Sequence, residues 1–220
     1  YKNNYLEFKN DIQILNLFQN NISNNKYKLI KIFQNNKRST VKLYDNGINK
    51  IVIKKYNSIL NNSYYLFKEF KNLCYFHPKK ITPEPILFYS RYNFFINDNY
   101  IVYKYIKNEK CENVYYNIFK CIKLIHNLGY INTDIKEKHF VWNNNKMILL
   151  DVDHHLKKNN GFFSNIFKEE NVLHCIDRIP KLKLYFSKVS NTSLFLHLFK
   201  INFKKILNNL KHYLKIIIND

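Results

Sequence analysis

The sequence predicts an α+β fold in two parts: a small antiparallel sheet lobe carrying one main helix, then a reduced helical lobe. Three observations carry this. Short β-rich runs bounded by turn residues fill residues 27–106. Apolar residues recur at helical spacing over 63–76 and again from Tyr115 to Leu128. A polar stretch, 107–113, separates the two patterns and reads as a hinge or linker.

The chain has 220 residues, enough for one domain with a substantial core. Its net charge is +20, which favours a polyanionic partner. There is no alanine, and nearly all the cations are lysine, so codon drift onto solvated faces accounts equally well for much of that charge. With 46% hydrophobic and 17% aromatic residues, the chain is too apolar for a disordered polycation. Cys74, Cys111, Cys121 and Cys175 show no CxxC spacing and read as free thiols in a reducing compartment. No apolar run approaches the ~18 residues of a membrane span, which leaves a soluble or peripherally attached chain, with the cytoplasm as the expected location.

Taken in order, residues 1–26 pair apolar and Asn-rich positions at helical spacing and predict a peripheral helical extension. Residues 27–33, 40–44 and 48–56 predict three strands, the last two joined by a tight turn at Asn46-Gly47. The helix over 63–76 stops at His77-Pro78. Strands at 86–92 and 100–106 flank a turn at Asn97-Asp98-Asn99, completing a first lobe over 27–106. In the second lobe, 114–220, Tyr115, Ile118, Phe119, Ile122, Ile125 and Leu128 make one helix face closed by Gly129. A C-terminal helix from Leu194 sets Phe199, Phe203 and Leu210 against Lys200, Lys204 and Lys211.

The densest polar constellation runs from Asn132 through Asp134, Lys136 and His139, then a hairpin turning at Asn143-Asn144-Asn145, then Asp151-Val152-Asp153. A hairpin returns the chain to where it began, so Asp134, His139 and Asp151 should converge. Asp151 follows a run of apolar residues, where a carboxylate is costly unless a cation or backbone donors satisfy it. Alone, Asp134 with Lys136 would be an ordinary solvated turn; the company of Asp151 and Lys54 argues for a site. His154-His155 with His174 and Cys175 fit no familiar zinc spacing.

Over 27–180 this layout resembles the protein-kinase-like superfamily, whose catalytic loop reads H-R-D-x-K-x-x-N and whose metal loop reads D-F-G. The corresponding strings are Asn132-Thr133-Asp134-Ile135-Lys136-Glu137-Lys138-His139 and Asp151-Val152-Asp153. The resemblance implies ATP and Mg2+ as cofactors. It makes Asp134 the group that deprotonates the acceptor hydroxyl, Lys136 the neutraliser of the transferring phosphoryl, and Asp151 and His139 the metal ligands. Ile51-Val52-Ile53-Lys54 stands in the place of V-A-I-K, so Lys54 becomes the phosphate lysine and Glu69 its ion-pair partner. Tyr103 and Tyr105, on the strand entering the hinge, become adenine-binding residues.

Three departures mark the chain as an atypical branch: no glycine in the loop 34–40, His139 where the family has Asn, and Asp153 where it has Gly. Its small size and the string Asp177-Arg178-Ile179 resemble the bacterial lipopolysaccharide core heptose kinases. That branch implies transfer of the ATP γ-phosphate to a sugar hydroxyl of an anionic glycolipid, with the lysine-lined final helix against an anionic membrane surface. A pseudokinase scaffold or an atypical protein kinase is the alternative. A basic nucleic-acid-binding domain draws only on charge, and three arginines scattered along the chain argue against specific base readout. No obligate oligomer is expected.

Overall fold

The computed structural model describes residues 27–57, 62–92, 97–153, 155–159, 164–186 and 201–202. The expected helices at 1–26 and from Leu194, and His154, lie outside the described residues apart from the helical positions 201–202. Among the described residues the fold is α+β, with a five-stranded antiparallel sheet and three α-helices bounded at both ends. The chain divides into two compact units: residues up to Phe70 with Glu84–Tyr105, and Lys71–Pro83 with residues from Ile106 on.

In the first unit, β1 (Lys28–Asn35), β2 (Ser39–Asp45), β3 (Lys50–Tyr56), β4 (Pro85–Tyr92) and β5 (Asn97–Lys104) form a sheet ordered β1-β2-β3-β5-β4. The side-chain alternation of a strand puts Val52 and Lys54 on one face, opposite Tyr103 and Ile101 of β5. Ile51 and Ile53 take the other face, where Ile51 joins Leu87 and Val102 in a buried cluster. β1 carries two bulges, and Phe33 sits in the second, between Ile32 and Gln34. A bulge re-aims the side chain it carries.

Helix α1 (Asn62–Phe76) buries Leu66, Phe70, Leu73 and Phe76 along one stripe. Glu69 falls on that stripe and is 1% exposed. A charge on the buried face of a helix needs a partner, which selects a cation from the sheet. After α1, a 3-10 turn at His77–Lys79 accommodates Pro78.

The second unit contains α2 (Val114–Asn127), the hairpin of β7 (Phe140–Asn143) with β8 (Lys146–Leu149), the short pair β6 (Tyr130–Asn132) with β9 (Leu156–Lys158), and α3 (Ser164–Arg178). Ile118, Cys121, Ile122 and Ile125 are the buried face of α2. Gly129 ends it at φ +79°, a left-handed conformation that L side chains resist. The β7–β8 turn places Asn144 and Asn145 at φ 48° and 59°, the two-residue type that suits strand twist and tolerates Asn. Burial raises the Cys121 thiol to about 12, and Cys175 is raised further by the same cause, so both are inert packing groups.

Two expectations need correction. The β2–β3 connection is a four-residue loop, because Asp45 pairs with Lys50. Asp45 Oδ1 accepts from Gly47 N, and Asn46 Oδ1 accepts from Ile48 N and Asn49 N. These side-chain acceptors stabilise a longer loop than the two-residue Asn-Gly turn. Asn97, Asp98 and Asn99 are strand rather than turn, in register with Tyr92, Arg91 and Ser90. Asn99 is buried and accepts from Ser90 Oγ at 2.5 Å, which offsets its poor strand propensity. In the stretch 107–113, Glu109 N donates to Trp142 O, and the Glu109 carboxylate accepts from Asn143 Nδ2 and Asn144 N. These bonds tie it to the β7–β8 hairpin within the second unit.

Candidate functional site

In the second unit Asp134, His139 and Asp151 converge, each offering one ligand atom within 4.8 Å of the others'. Local chemistry sets each position. Asn132 Oδ1 accepts from Asp134 N at 2.9 Å, a side-chain turn that aims the loop. His139 is the last residue of a 3-10 turn, Glu137–His139, in which His139 N donates to Lys136 O, and Leu150 N donates to His139 O at 2.8 Å. That second bond ties the end of β8 to the start of β7, so Asp151 emerges beside the His139 ring. On its other side, Asn72 Nδ2 donates to Val152 O at 2.7 Å and holds the chain just past Asp151.

Lys136 Nζ lies 2.6 Å from Asp134 Oδ2. Burial raises the Asp134 carboxyl, but the hydrogen bond and charge of Lys136, with His139 and His155 adding to them, hold it below the ordinary value. Asp134 is therefore an ionised acceptor at neutral pH. Burial lowers the His139 imidazole, with Asp151 opposing and Lys136 reinforcing the shift. The ring is neutral, carries no hydrogen-bond partner at Nδ1, and places Nε2 3.8 Å from Asp151 Oδ2, too long for a hydrogen bond.

In the first unit, Lys54 Nζ lies 2.9 Å from Glu69 Oε1, and Tyr56 OH donates to Glu69 Oε2 at 3.2 Å. The Lys54 side chain is 12% exposed, so this ion pair is largely desolvated. Tyr103 is buried in β5 between β3 and β4. Tyr105 follows β5 and lies near-parallel to Phe33, with 16° between the rings and 6.4 Å between their centroids. Phe33 is 46% exposed, so the pair presents aromatic surface to solvent.

Among the expected residues, Asp134, Lys136, His139 and Asp151 share one cluster, and Lys54 pairs with Glu69 as anticipated. His155 and His174 both engage Thr133 and belong to no metal cluster among the described residues. Sequence reasoning missed Phe33, Asn72, Asn171 and His126, and gave Asn132 no role of its own. Asn171 Nδ2 donates to Asn132 O, leaving its Oδ1 to accept from His126 Nε2, and all three side chains are buried. The network anchors the turn that carries Asp134. Asn171→Ala is therefore expected to cost about 1–3 kcal/mol, read as a lower urea midpoint at unchanged slope.

Two carboxylates and a neutral imidazole suit a divalent cation. The nitrogen donor is the part of the set that Mg2+ fits least well. A cavity of about 570 Å³ lined by Thr133, His174, Asp177 and Arg178 includes none of Asp134, His139 and Asp151, so the acid cluster lies outside it. Among the described residues no helix is long and apolar enough to cross a membrane. No protein-family model matches the chain, and a search of curated proteins finds no match.

Proposed function

We propose that the chain is an ATP-dependent phosphotransferase of protein-kinase-like architecture, moving the γ-phosphate to a sugar hydroxyl of lipopolysaccharide core or a related anionic glycolipid. The observation that carries this reading is the convergence of Asp134, His139 and Asp151, with Lys136 on Asp134.

In this reading the ionised Asp134 carboxylate takes the proton of the acceptor hydroxyl as its oxygen bonds to the γ-phosphorus and the bridge to the β-phosphate breaks, leaving ADP. Lys136 donates to the oxygens of the phosphoryl in transit. Asp151 and His139, with Asp134 beside them, would hold the cation, which when bound neutralises phosphate charge. In the first unit, Glu69 holds the Lys54 ammonium in place for phosphate oxygens, and Phe33 with Tyr105 offers stacking surface to a purine base. Tyr103 supports the strand that leads to Tyr105. The net charge of +20 suits an anionic acceptor or membrane surface.

Incubation with γ-labelled ATP, a divalent cation and dephosphorylated envelope glycolipid, with a protein acceptor as control, tests it. Label is expected in the glycolipid. Label in the protein alone would redirect the reading to an atypical protein kinase. No ATP binding and no hydrolysis with any divalent cation would favour the scaffold reading, to which the imidazole at position 139 also points.

A further inference from the structure

We propose that the cluster of Asp134, His139 and Asp151 takes a first-row transition divalent cation, of the manganese-to-zinc series, in preference to magnesium. The use of that ion rests on the phosphotransferase reading, whereas the preference follows from the donor set alone.

Two independent features point the same way. The ligand atoms, one imidazole nitrogen and two carboxylate oxygens, lie within 4.8 Å of one another. Separately, His139 is 8% exposed, has no hydrogen-bond partner at Nδ1, and holds Nε2 3.8 Å from the Asp151 carboxylate, beyond hydrogen-bond length. Nε2 faces the Asp151 carboxylate without bonding it, so with the ring proton on Nδ1 its lone pair is left to a cation seated between them. Backbone bonds on both sides, His139 N to Lys136 O and Leu150 N to His139 O, fix the segment that carries the ring.

Magnesium is small and hard, demands near-octahedral oxygen ligation and parts with its waters reluctantly. An imidazole where an amide or carboxylate oxygen would serve it weakens magnesium and strengthens ions that accept nitrogen.

Calorimetric titration of the full chain with Mg2+, Mn2+ and Co2+, each alone and without nucleotide, tests the preference. Affinity is expected to rise in that order, with Co2+ at least about tenfold tighter than Mg2+. His139→Asn, which substitutes an oxygen donor, is expected to reduce that ratio at least about tenfold, because the nitrogen is its source. Equal Mg2+ and Co2+ affinities, a ratio unchanged by His139→Asn, or no binding of any of the three ions would overturn the proposal.

Electron spin-echo spectra of the Mn2+-loaded wild-type chain give a second measurement that does not depend on the variant folding. Modulation from a directly bound imidazole nitrogen is expected, and its absence counts against the site. Transition-ion preference without ATP binding would keep this inference and reject the phosphotransferase. Turnover with Mg2+ and no preference would do the reverse.

Discussion

Asp134→Asn is expected to lower the turnover number about 100- to 10,000-fold with at most a modest loss of nucleotide affinity, since Asp151 and His139 still offer ligands to the cation. The amide cannot take a proton, so the step that activates the acceptor hydroxyl is lost. The backbone of the loop should survive, because the Asp134 N–H to Asn132 Oδ1 bond does not involve the substituted group. Lys136 loses its carboxylate partner but stays on the same turn. The kinetic signature is a fall in kcat with little change in the ATP KM, which separates a residue acting on reacting atoms from one that only binds. Unchanged turnover in Asp134→Asn would remove the proposed base.

The second large effect concerns the first unit. Lys54→Met is expected to destabilise the chain by about 3–5 kcal/mol, because it takes the ammonium away from a carboxylate that is almost wholly removed from water. Glu69 is 1% exposed, and the Tyr56 hydroxyl that donates to it carries no charge to replace the ammonium's. Replacing both members, Lys54→Met with Glu69→Leu, should restore much of that loss, since a buried pair exchanged for apolar groups of similar volume is often near neutral. ATP binding should stay impaired in the double variant. Chemical denaturation and ATP titration on the same three proteins distinguish the roles. Wild-type ATP affinity in the double variant would show that Lys54 is purely structural.

Much of this was legible in the sequence, for reasons that differ from residue to residue. Glu69 could be read because acids are scarce and it falls among the apolar positions of a helix, where a charge demands a cation. The convergence of Asp134, His139 and Asp151 could be read because the Asn143-Asn144-Asn145 turn identifies a hairpin, and a hairpin brings its two ends together. Asn72 and Asn171 could not be read: asparagine is so abundant here that no one position stands out, and their roles depend on backbone groups far away in sequence. Phe33 was hidden for another reason, since a bulge turns it toward Tyr105 and breaks the period-two pattern of its strand. Local turn chemistry also misled. Asn46-Gly47 and Asn97–Asn99 both look like turns, yet side-chain hydrogen bonds lengthen the first and a strand register absorbs the second. Residues 71–83 and 107–113 look like parts of the sheet lobe and a linker, but both group with the second unit.

In the proposed function, Asp151, beside Asp134 and His139, makes nucleotide binding depend on a divalent cation. Calorimetric titration of ATP into the wild-type chain and into Asp151→Asn, each with and without Mn2+, tests it most directly. Wild-type binding should be saturable and weaken sharply when the metal is withdrawn, and Asp151→Asn should bind weakly under both conditions. Equal ATP affinity in the two proteins, or wild-type binding indifferent to the metal, would contradict it.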